Sequence, residues 1–138
     1  MERTLVLIKP DAMERKLMGK IISVYEQKGF SVSSIKVLKP SRNIAAQHYA
    51  ELKEKAYFEE ILTYITRSEV CAMIIEGENA IGEVRKINGA TDPQEADEDT
   101  IRRQFAISKA ENAVHSSDSA ENAEKEIGLW FSEKELHR

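Results

Sequence analysis

Residues 4–8, Thr-Leu-Val-Leu-Ile, constrain this chain more than any other feature. The run is apolar, rich in branched side chains and without polar alternation, so it reads as a short strand covered on both faces. Lys9 stands at its end and Pro10 stops it. Residues 70–75, Val-Cys-Ala-Met-Ile-Ile, form the most hydrophobic stretch and are predicted to be another strand. Residues 31–38 alternate well enough for a third, which Pro40 ends. A fourth, short strand is expected at residues 113–115.

Helical spacing fills the intervals. A helix after Pro10 carries Ile21, Ile22 and Tyr25 on one side, with Gly29 as its stop. Ser41 is placed to cap the next, which holds Ile44, Ala45, His48, Tyr49 and Leu52. Further helices are predicted over residues 57–67, with Phe58, Ile61, Leu62 and Ile65 inward, and over 79–88, stopped by Gly89. The last spans residues 120–131, with Ala123, Ile127 and Trp130 or Phe131 on its apolar face. Asp118 and Glu121 have the spacing of a capping box at its start. Residues 89–111 are the least regular, with a helical turn near 100–105, and a loop of that length is generally functional or an oligomer contact. The tail, 132–138, is expected to be frayed or to lie on the surface. This order implies an α+β sandwich with a ferredoxin-like βαββαβ core, a four-stranded antiparallel sheet covered by helices, and one domain over residues 1–138.

Composition narrows the function classes. With 138 residues, 41% hydrophobic and 32% charged, the chain can build a proper core and describes a soluble globular protein. No apolar run approaches the ~18 residues of a membrane span. The single cysteine, Cys71, lies in a strand and reads as a structural thiol in a reducing, cytoplasmic setting. A net charge of −4 argues against broad nucleic-acid binding, so an anionic substrate would need a local cluster of basic residues.

His115 is the candidate centre of chemistry. It sits where a strand gives way to a helix N-terminus, a place that favours anions. A lone histidine more often merely caps or fills a loop. A neutral imidazole there could instead attack a phosphoryl group, with Ser117 and Glu126 at hand to hold the ring. The chain has no Walker-type glycine loop and no protein-kinase signature, so a phosphotransferase reading must rest on another arrangement.

Asn112-x-x-His115-x-Ser117-Asp118 with Glu126 resembles the active-site signature of nucleoside diphosphate kinases. The resemblance extends over nearly the whole chain: residues 2–12 (ERTLVLIKPDA), 25–30 (YEQKGF), 76–80 (EGENA), 89–93 (GATDP) and 126–131 (EIGLWF). It implies ping-pong transfer of the γ-phosphate from a nucleoside triphosphate, mainly ATP, to a nucleoside diphosphate through a phosphohistidine on His115. It further implies upkeep of the NTP and dNTP pools. Glu126 and Ser117 would orient the ring, and Tyr49 would stand close to it. Lys9, Arg85, Thr91 and Arg102 would bind phosphates, guanidinium forks suiting phosphate oxygens. Lys9 and Asn112 would reach the sugar hydroxyls. Tyr57 would stack on the base, and stacking discriminates poorly among bases. Mg²⁺ is expected to arrive with the nucleotide phosphates, with no direct protein ligand and Asp118 at most in an outer role. The resemblance also implies a homo-oligomer, a hexamer favoured over a tetramer.

Three positions depart from the family pattern. Ser116 stands where glycine or another small residue is usual, Lys109 replaces an aliphatic residue against the base, and Tyr57 replaces phenylalanine. A nucleotide-binding regulator without turnover is the alternative from another class; the acidic balance gives nucleic-acid binding little support.

Overall fold

The computed structural model describes residues 1–136. The apolar run near the start becomes β1 (Glu2–Ile8), the inner strand on which the sheet is assembled. It pairs antiparallel with β3 (Val70–Gly77) on one side and β4 (Val114–Ser116) on the other, and β2 (Ser31–Leu38) lies beyond β3. The order β2-β3-β1-β4 is that of the expected ferredoxin-like sheet. Helices α1 (Pro10–Glu14), α2 (Met18–Gln27), α3 (Arg42–His48), α4 (Phe58–Ile65), α5 (Ala80–Asn88), α6 (Ile101–Phe105), α7 (Ala120–Trp130) and α8 (Glu133–Leu136) complete the described fold.

Both faces of β1 are covered, which is why its sequence shows no polar alternation. Val6 and Ile8 join Met73, Ile75, Ile21, Tyr25 and Val84 in one core. Leu5 and Leu7 point the other way, to Leu62, Ile65, Ile127 and Trp130. Each such side chain contributes roughly 1.5–3 kcal/mol by leaving water. The register of β4 matters most for the site. His115 lies opposite Leu7 and Ser116 opposite Val6, so adjacent residues address the two separate layers. Cys71 is buried in the first core, and burial pushes its thiol up to about 11.

Several local expectations need correction. Pro10 does not merely end the strand: it opens α1 at the first helical position, where a missing N–H costs nothing. Ala113 is not in the strand but in a left-handed turn, φ 73°, and pairing starts at Val114. Ser119, not Asp118, caps α7, its hydroxyl accepting from the Asn122 N–H at 3.1 Å. Helix α7 ends at Trp130, and Phe131 is extended. The tail lies on the surface, as expected, but is folded into α8, where Glu135 pairs with Lys36 at 3.0 Å and Leu136 packs against the second core. The final two residues lie outside those described.

Candidate active site

A cleft of about 1220 Å³ opens beside the end of β4, between α3 and α7 on one side and α5 and the 89–112 segment on the other. Lys9, Tyr49, Arg85, Thr91, Arg102, Asn112, His115, Asp118 and Glu126 all line it, drawn from distant parts of the sequence. Ser117 lies buried just behind. Tyr57 precedes α4 and is 45% exposed, and neither it nor Lys109 is among the lining residues.

The α7 wall fixes one ring. His115 Nε2 lies 2.9 Å from Glu126 Oε1, and the Ser117 hydroxyl donates to the same oxygen at 2.7 Å. Ser117 Oγ in turn accepts the Leu5 N–H at 3.2 Å, tying the ring support to the central strand. An ionised carboxylate only accepts, so Nε2 carries the proton and a neutral ring keeps its Nδ1 lone pair bare. Burial alone would raise the Glu126 pKa; the bond and charge of His115, with help from Ser117 and His48, hold it below the usual range. Two turns of α7 separate its N-terminus from Glu126, so the carboxylate meets the strand through helix geometry.

His48, which helical spacing places only on a helix face, is a site residue. Its ring packs edge-on against His115, centroids 4.5 Å apart, and its Nδ1 accepts the Trp130 indole N–H at 3.0 Å. Burial, with His115 and Lys9 nearby, drives its pKa down to about 3, so the ring is neutral and bears its proton on Nε2. The signal available was its spacing three residues beyond the fully buried Ala45.

His48, His115 and Glu126 are close enough for three donor atoms to meet a metal ion. The donor chemistry opposes it, because Trp130 already occupies the bare His48 nitrogen and the His115 nitrogen beside Glu126 carries a proton. This nitrogen-rich set is also unsuited to Mg²⁺, which favours oxygen ligands. Asp118 lines the cleft and remains ionised, held low by the Asn122 amide and then by Arg85.

The other wall presents cations. Lys9 Nζ donates to Asn112 Oδ1 at 2.9 Å, and the Asn112 amide donates to the Thr91 carbonyl at 3.3 Å. Burial, aggravated by Arg102 and eased by Asp11, lowers Lys9 to about 8. Arg102 donates to the Gly89 carbonyl at 2.7 Å and the Val114 carbonyl at 2.9 Å. Two of its five N–H groups are thus spent on holding the fork, and its Nε is buried without a partner. Arg85 is exposed at the rim. Asp11, which sequence reading did not single out, sets the turn before β4: one carboxylate oxygen accepts the Ala113 N–H at 3.1 Å and the other the Tyr64 hydroxyl. Only its immobilisation of a left-handed alanine reveals this role, and spacing carries no trace of it.

This geometry coincides with a sequence match over almost the full chain. The profile of the nucleoside diphosphate kinase family matches residues 2–136. The chain belongs to the nucleoside diphosphate kinase family. It is 51% identical to a nucleoside diphosphate kinase of Clostridium perfringens over 95% of this chain and 92% of that one. A Methanocaldococcus jannaschii nucleoside diphosphate kinase is 47% identical over 98% and 96%. Among solved structures, the Aquifex aeolicus nucleoside diphosphate kinase superposes with a TM-score of 0.94 at 40% identity, covering 97% of each chain. The family is one of phosphotransferases, and no helix among the described residues is long and apolar enough to cross a membrane.

Proposed function

We propose that the protein is a nucleoside diphosphate kinase that works by ping-pong transfer through His115. The observation that carries this reading is the hydrogen bond from His115 Nε2 to Glu126, which leaves Nδ1 as the nucleophilic nitrogen in a cleft lined by Lys9, Arg85 and Arg102. In the first half-reaction Nδ1 bonds to the γ-phosphorus of a nucleoside triphosphate, mainly ATP, and the bond to the bridging oxygen breaks, releasing the diphosphate. In the second, a terminal oxygen of another diphosphate attacks that phosphorus and the P–N bond breaks, restoring the ring. Glu126 balances the positive charge on the imidazole during both steps, and the guanidinium forks receive the phosphoryl oxygens. Lys9 and Asn112 hold the sugar hydroxyls, Thr91 and Arg85 the outer phosphates, and Tyr49 borders the ring. Tyr57 is the aromatic on which the base stacks.

Mg²⁺ would arrive with the nucleotide and neutralise phosphate charge, with no direct protein ligand and Asp118 at most in an outer role. The cellular role is upkeep of NTP and dNTP pools in the cytoplasm. A homo-hexamer is favoured, with a tetramer as the alternative, and light scattering coupled to size exclusion distinguishes them.

The test is incubation with γ-labelled ATP. A label retained in alkali and lost in acid, absent from His115→Ala, supports the intermediate. Acid-stable label, or normal exchange by His115→Ala, sinks it.

A further inference from the structure

A second side chain beside the nucleophile is prepared for a phosphate. Ser116 follows His115 in β4 and lines the same cleft, yet belongs to the opposite layer of the fold. Its Oγ accepts the Asn88 amide N–H at 3.0 Å. Asn88, 1% exposed at the end of α5, has its orientation fixed from behind: the fully buried Tyr25 hydroxyl donates to Asn88 Oδ1 at 2.6 Å. Burial raises the Tyr25 pKa, so the phenol keeps its proton, and the amide must turn its carbonyl to Tyr25 and its N–H to Ser116.

The consequence is directional. Ser116 Oγ receives a hydrogen bond from the protein, while its own proton has no acceptor among the described residues. A phosphoryl group supplies only acceptors. Two buried polar side chains thus fix the hydroxyl at the cleft and leave its proton free for an acceptor there. Of the neighbouring donors, His115 Nε2–H already has a protein partner, and Lys9 Nζ spends one of its three N–H groups on Asn112.

We infer that the Ser116 hydroxyl, aligned by the Tyr25–Asn88 pair, donates a hydrogen bond to the phosphoryl group being transferred to and from His115. Ser116 is then a substrate-contacting residue, and Asn88 and Tyr25 are positioning residues. The inference rests on the transfer reading above and adds a donor to it.

The discriminating experiment compares the wild type with Ser116→Ala, Ser116→Thr, Asn88→Leu and the Ser116→Ala/Asn88→Leu double variant. Each is measured for exchange kinetics, thermal melting, and affinity for ADP and for the non-transferable triphosphate analogue AMP-PNP. Loss of one hydrogen bond to a charged group should lower kcat/KM about tenfold in Ser116→Ala, and Ser116→Thr, which keeps the hydroxyl, should recover most of it. AMP-PNP affinity should fall about fivefold in Ser116→Ala while ADP affinity stays within about twofold. Asn88→Leu should lose less, and the double variant should be no worse than Ser116→Ala alone, because the amide acts only through the hydroxyl. Exchange and AMP-PNP binding by Ser116→Ala within twofold of the wild type would overturn the inference. Equal losses for ADP and AMP-PNP, or losses that follow melting temperature alone, would overturn it too. Absence of label on His115 in the wild type would sink the transfer reading, and the contrast between ADP and AMP-PNP would still decide whether Ser116 meets a terminal phosphate.

Discussion

The wall built on α3 and α7 and the wall built on α5, α6 and the Thr91 segment meet at β4, but they hold their polar groups differently. On the first, His115, Glu126, Ser117, His48 and Trp130 satisfy one another at 2.7–3.0 Å. On the second, Lys9 and Arg102 are held by an amide and by backbone carbonyls, which accept hydrogen bonds but bring no full negative charge. Burial therefore lowers both cations. A self-satisfied wall gives a rigid ring; an under-compensated one gives affinity for an anion, at a cost to the empty protein.

The two walls separate most clearly at the ring. His115→Ala should abolish phosphate exchange, by about ten-thousandfold or more, with ADP binding retained in a titration. Loss of binding in parallel would mean that the two walls are not separate. Next in size, Arg102→Ala should reduce kcat/KM by about 10²–10³ as donors to the transferring charge disappear, with Arg102→Lys recovering only part because it lacks the fork. Glu126→Gln should cost about a hundredfold, since the amide no longer enforces a proton on Nε2. It carries a pH signature as well. A carboxyl depressed in the folded state contributes stability above its ordinary range and loses it as pH falls through the folded value. Acid melting curves should show that loss in the wild type and not in Glu126→Gln.

The cationic wall makes the opposite forecast. Lys9 is lowered from 10.5 to about 8, so its charged form costs stability below that pH, and the cost fades as pH rises toward 10.5. Lys9→Met should thus melt a few degrees above the nucleotide-free wild type at pH 7 while binding nucleotide more weakly, and that advantage should vanish in alkali. In the wild type, nucleotide affinity should decline above pH about 8 as the ammonium loses its proton. The smallest effect is expected for Trp130→Phe, which removes the donor to His48 and should cost about 1 kcal/mol in denaturant unfolding. A larger loss of exchange than of stability would show that His48 steadies the catalytic ring.

Legibility differed between the walls for a physical reason. His115, Ser117 and Glu126 sit on one strand–helix unit, where 1.5 Å of rise per residue makes the return of Glu126 to the strand suggestive from spacing, and the family resemblance assigns its role. Lys9, Arg85 and Arg102 came from the family resemblance, because each alone has the character of an ordinary surface charge. His48 was visible as a residue on a helix face and Asn88 as the last residue before a glycine stop, but neither position announced a hydrogen bond across the fold. The capping-box spacing of Asp118 and Glu121 misses the cap of α7 by one residue because four consecutive oxygen-bearing side chains can all serve.

By itself the sequence determined the strands, the helix faces, the order that makes the sheet antiparallel, and the family. These follow from hydrophobic period and local motifs, which depend on neighbours in the chain. Only the tertiary structure decided that Ala113 turns left-handed under Asp11, that Trp130 sets the tautomer of His48, and that Tyr25 reaches Ser116 through Asn88. Those depend on directional hydrogen bonds between residues up to 102 positions apart, and no periodicity in a linear sequence encodes such a direction.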